Sequence, residues 1–179
     1  PARATGRFLH DAEQFYFNTH NGSSGWFVYT PLERDDGSVI FVNRGFVPMA
    51  VKDAKARVDG QITGIVTVTG LARSAPSEKA NYFVPENDLK KNVYHWKSLS
   101  QMAASAFDKT EKDTLGFFLD AAATGEHMGK GRWPQGGVTR ITFSNNHLQY
   151  AVTWYGLALV LLFVGGAFFR STMKPDADQ

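Results

Sequence analysis

The sequence contains no cysteine. A disulfide, a thiolate metal site, a CxxCH-attached haem and a CxxxC copper site are therefore excluded, and any metal must be held by His, Met, carboxylate or backbone. An excess of charge of one sign is also lacking. Nineteen basic residues against 17 acidic ones leave a formal net charge of +2, which gives no basic footprint for nucleic acid. Catalytic signatures are missing as well: there is no HExxH, GxSxG, P-loop or GxGxxG. The histidines at 10, 20, 95, 127 and 147 show no helical metal-ligand spacing, and the adjacent His127 and Met128 are too short a signal for copper. With no acid, base and nucleophile in a recognisable arrangement, the chain does not read as an enzyme.

One stretch lacks charge altogether. Between Arg140 and Arg170 there is no Asp, Glu, Lys or Arg, and Tyr150 to Phe169 reads YAVTWYGLALVLLFVGGAFF. Twenty residues make a helix of about 30 Å, enough to cross a hydrocarbon core. The mean hydropathy of −0.26 thus averages two unlike parts. The expected organisation is an extracytoplasmic domain over 1–147, a transmembrane helix over 148–170 and a short cytoplasmic or matrix tail over 171–179. Arg170 and Lys174 beside the tail orient it inward, so the domain faces the periplasm or intermembrane space. Such a domain needs export, and PARATGRFLHDAE has no apolar signal core. A first span or signal ahead of residue 1 is expected.

The polar part over 1–147 reads as mainly antiparallel β with short helices, an α+β class. Residues 6–19 suggest one or two strands. WFVYTPL (26–32) suggests a strand broken by Pro31, and SVIFVNRGFV (38–47) its hairpin partner across the RDDG turn at 34–37. Residues 49–57 suggest a short helix. GQITGIVTVTGLAR (60–73) alternates as a half-exposed strand. Leu99 to Phe107 is a helix candidate with Ser98 as N-cap. Strands follow at 114–119 and 138–143, and Ser144-Asn145-Asn146 caps the membrane helix.

His147 stands out by position, three residues before Tyr150 at the mouth of the span. At helical spacing His147, Tyr150, Ala151, Trp154 and Ala158 share one face. An imidazole above aromatic and small side chains suits a flat amphipathic ligand, and imidazole ligates haem iron. Arg140, Arg132 and Lys130 precede it on the aqueous side, where propionates need cations. Tyr and Trp are also ordinary interfacial anchors, and the residues alone leave both readings open.

Several strings together resemble the Surfeit-one family of cytochrome c oxidase assembly factors. They are GWFVYTPLERDDGSVIFVNRGFVP (25–48), TVTGLARSA (67–75), YFVPENDLKKNVYHWKSLSQMA (82–103) and PQGGVTRITFSNNHLQYAVTWYGLA (134–158). The resemblance runs from about Gly6 to Arg170. The family more often has Trp where this chain has Phe46, and it carries a membrane helix at the N-terminal side. The resemblance implies an inner-membrane assembly factor that binds haem a and assists its insertion into oxidase subunit I, with haem a synthase as a further partner and membrane lipid around the helix. It implies His147 as the axial iron ligand, Tyr150 and Trp154 lining the ring, and Arg140 beside a propionate. The alternative is a haem-free scaffold for subunit I or haem a synthase, in which Asn43-Arg44-Gly45 matters more than His147.

Overall fold

The computed structural model describes residues 1–107, 112–123, 125, 133–138 and 147–172. It forms two units, 1–139 and 140–179, each described by itself. In the first unit six strands make one sheet: β1 (Ala2–Phe8), β2 (Gln14–His20), β3 (Ser23–Glu33), β4 (Val39–Pro48), β5 (Ile65–Ser74) and β6 (Thr114–Ala121). Their order is β1-β5-β6-β4-β3-β2, and β1 also meets β3 through Arg7 opposite Glu33 and Phe8 opposite Leu32. Five strands therefore close into a ring, with β2 paired to the Ser23–Tyr29 part of the β3 edge that β1 takes up at Leu32. All pairings are antiparallel except β4 with β6.

Alternation along the strands builds the core on both sides of this wall. Ile40 and Val42 of β4 and Leu119 and Ala121 of β6 join Phe8, Leu32, Val66 and Val68 inside the ring. Phe41 and Phe118 point the other way, to Tyr29, Tyr94 and Met102. Helix α1 (Leu99–Ala106) supplies Met102 to that outer cluster. This is the period-two pattern of a strand whose two faces are both covered, which is why β4 is apolar nearly throughout. The Ser98 hydroxyl accepts from the Gln101 backbone N–H at 3.4 Å, so the N-cap read from the sequence is present. Ser98→Ala is expected to lower stability by about 1 kcal/mol. The urea midpoint reads this directly, and an unchanged midpoint would mean the cap contributes nothing.

One sequence expectation needs correction. Pro31 does not break its strand: β3 runs through it, with Pro31 opposite Phe41. The Pro31 carbonyl accepts from Leu9 N–H at 2.9 Å, so its nitrogen faces the same side. There β2 has ended its pairing at Tyr29 and β1 begins at Leu32. The missing donor falls where the ladder changes partner, so no pairing is lost. The short helix expected over residues 49–57 takes the form of two 3-10 segments, Met49–Val51 and Ala54–Gly60. Arg57 leaves helical geometry at φ −143°, and its side chain enters a buried ion pair. The expected strand over 138–143, apart from Val138, and the 144–146 cap lie outside the described residues.

Candidate functional site

The second unit contains helix α2 (His147–Thr172). Its 26 residues extend about 39 Å, and it is long and apolar enough to cross a membrane, with none of its apolar window buried. Arg170 occupies its last turn, where a cation complements the exposed carbonyls. His147 is the first described residue of the helix. Tyr150, Ala151, Trp154 and Ala158 follow on the same face by helical spacing. Tyr150 is 64% exposed and Trp154 69%. The small side chains at 151 and 158 alternate with these two aromatics, leaving a shallow apolar strip beneath an imidazole. A nitrogen donor above aromatic surface fits a haem-type macrocycle in donor chemistry and polarity. The structure therefore brings His147, Tyr150 and Trp154 onto one helix face; Arg140, Lys130 and Arg132 lie outside the described residues. Among the described residues no group of three or more His, Asp or Glu side chains converges as a metal site.

The Asn43-Arg44-Gly45 motif has a different place. Val28 faces Gly45 while Tyr29 faces Asn43, so Arg44 is the extra residue of a β-bulge. Gly45 has φ +119°, and a Cβ there would lie 1.9 Å from the Gln135 carbonyl oxygen, which explains why glycine stands there. Asn43 fastens the bulge: its amide donates to Asp120 at 2.9 Å, and its Oδ1 accepts from Gly45 N–H at 3.1 Å. Arg44 is 1% exposed. Its guanidinium lies 4.7 Å over the Phe8 ring, donates to the Gly60 carbonyl, and approaches Glu13 at 3.6 Å.

Glu13 is the hub of this interior. It pairs with Arg57 through both carboxylate oxygens, accepts from the Thr30 hydroxyl at 3.2 Å and meets His10 Nδ1 at 3.4 Å. Burial alone would raise its pKa, but the bonds to His10 and Arg57 and the charges of Arg57 and Arg44 outweigh it, holding the carboxyl at about 2. Arg44 is drawn down to about 10, chiefly by burial, and Glu13 opposes that shift. It stays charged at neutral pH. Because Glu13 is depressed from 4.5, its contribution is complete above pH 4.5 and is lost as pH falls toward 2. The expected loss over that window is about 3 kcal/mol. Acid titration of the unfolding free energy checks this, and a flat profile between pH 4.5 and 2 would contradict it.

Sequence reading missed this cluster. Glu13 and Arg57 are 44 positions apart, and nothing local marks either as buried.

Comparison with known proteins places these features among relatives. The chain matches the SURF1 family over residues 1–159. It is 36% identical over 170 residues to a SURF1-like protein of Monosiga brevicollis, covering 88% of this chain and 61% of that one. It is 37% identical to Surfeit locus protein 1 of Xenopus tropicalis, covering 88% and 47%. It is 41% identical to Surfeit locus protein 1 of Homo sapiens, covering 75% and 42%. The chain thus spans about half the length of these relatives.

Proposed function

The chain belongs to the SURF1 family, and from that membership we propose that it is an assembly factor for cytochrome c oxidase that binds haem a and assists its insertion into subunit I. The site is the imidazole end of α2, and the carrying observation is His147 heading a helix face of exposed Tyr150 and Trp154. Haem a is cargo here, and its redox chemistry is used in the oxidase. His147 holds the iron through a ring nitrogen, Tyr150 and Trp154 cover the macrocycle, and Arg140 pairs with a propionate. A single protein ligand favours release to subunit I. Haem a synthase supplies the cargo, so these two membrane proteins are its partners. The protein works in the inner membrane, with its domain toward the periplasm or intermembrane space, and catalyses no reaction of its own.

The scaffold reading gives more weight to the paired strands around Asn43-Arg44-Gly45 than to His147. Burial of Asn43 and Arg44 argues against that motif as a docking surface; it holds the domain together. The functional test is genetic. Removing this protein from cells that make haem a should leave subunit I deficient in haem a, and restoring the full chain should repair it. Undiminished haem a in the oxidase of the deleted cells would overturn the proposal.

A further inference from the structure

The ring of strands closes between β1 and β3 along a short seam. Arg7 and Phe8 of β1 pair there with Glu33 and Leu32. At Gly6 the two strands still touch, since a Cβ would lie 2.2 Å from the Glu33 carbonyl oxygen. From Thr5 back to Ala2, β1 keeps β5 on one side and loses β3 on the other, because β3 ends at Glu33 and turns toward β4. The gap opens into a cavity of about 230 Å³ at this mouth of the ring. Its walls are Ala2, Ala4, Ile40, Leu115, Phe117 and Leu119. Ile40 and Leu119 belong to the ring core, and the other four pack against it while staying partly buried. The inward positions of β1 are small at Ala2 and Ala4, so the core is left unfilled on that side.

Polar groups collect at the rim. Leu9 N–H bonds across the seam to the Pro31 carbonyl at 2.9 Å. Strand alternation therefore turns the N–H groups of Arg3 and Thr5 toward the same side, into the gap where β3 no longer pairs. Arg3 and Arg34 are the only charged residues lining the cavity among the described residues. Arg34 is held by Asp36 and Ser38, each at 2.9 Å. Among the described residues the Arg3 guanidinium has no carboxylate or hydrogen-bond partner.

We propose that this mouth binds a small amphipathic carboxylic acid, with its hydrocarbon chain in the cavity and its carboxylate at the Arg3 rim. Mouths of β-barrels are common ligand sites. The six apolar walls select against a strongly hydrated ligand, and an apolar cavity of about 150 Å³ already takes benzene, so a chain of several carbons has room. The unpartnered cation and the open N–H edge complement a carboxylate. Asp35 and Asp36 line the adjoining hollow with Arg3 and Arg34, and not this one. The site lies wholly within the first unit and is independent of haem binding.

The test uses the full chain in lipid nanodiscs and octanoate carrying a diazirine at the far end of its chain. After illumination, mass spectrometry locates the label. The expected result is labelling of β6 within residues 115–119. Probe dissolved in lipid labels α2 and serves as the internal reference. Excess octanoate should lower β6 labelling several-fold, and octanol should not. Ala4→Leu, which fills the cavity, and Arg3→Gln, which removes the rim charge, should each lower it several-fold with α2 labelling unchanged. Arg3 is exposed, so its substitution leaves the fold intact. Label confined to α2, or equal β6 labelling in wild type and Ala4→Leu, would overturn the site. Protection by octanol equal to that by octanoate, or undiminished labelling of Arg3→Gln, would overturn a carboxylic acid as its occupant.

Discussion

Glu13→Gln is expected to destabilise the domain by about 3–5 kcal/mol, the range for removing one partner of a buried ion pair. The substitution keeps the side-chain shape and an acceptor oxygen, so it isolates the charge. What it removes is the carboxylate that faces two buried guanidiniums, Arg57 and Arg44. Its effect should exceed that of Ser98→Ala several-fold, because a cap at the end of a short helix can be replaced by water and a buried counter-charge cannot. Such a loss is a large fraction of the stability of an ordinary domain. Urea unfolding followed by tryptophan fluorescence measures it, with Trp26 buried beside Val28 and Val47 as the reporter. A change below about 1 kcal/mol would mean that the cluster is hydrated and that burial does not govern it. Glu13→Gln should also flatten the acid transition between pH 4.5 and 2, since the group whose titration produces it is gone.

The second large effect concerns binding. His147→Ala should remove haem a from the purified full chain while leaving unfolding of the β domain unchanged. The residue lies in the second unit, outside the ring and its three core clusters. Trp154→Ala should have a smaller effect, weakening retention through lost apolar cover and keeping the ligand-field spectrum set by the imidazole. The two variants therefore separate coordination from cover. Identical haem content and spectrum in wild type and His147→Ala would remove His147 from the site. A parallel loss of haem and of folded domain would show that the histidine acts on the structure.

Local features were legible in the sequence. The RDDG turn placed the β3–β4 hairpin, the charge gap marked the apolar stretch that is helical in α2, and Ser98 was correctly read as a cap. Features set by distant neighbours were not. Whether Pro31 breaks a strand depends on where β1 and β2 exchange places along β3, which no window around residue 31 contains. The parallel pairing of β4 with β6 links segments 75–77 positions apart, with β5 and α1 between them, a separation at which pattern carries no register information. Glu13 looks like any surface carboxylate until the ring closes over it. The candidate site shows the same division: helical spacing alone puts His147, Tyr150 and Trp154 on one face, while Arg44 reads in the sequence as an ordinary cation and is buried in the structure.

The most direct test is the absorption spectrum of the wild-type full chain, co-expressed with the enzymes of haem a synthesis and purified in detergent. The account predicts a haem a spectrum that survives purification in stoichiometric amount. A colourless, folded protein, from cells whose membranes contain haem a, would contradict it and leave the chain a scaffold without cargo.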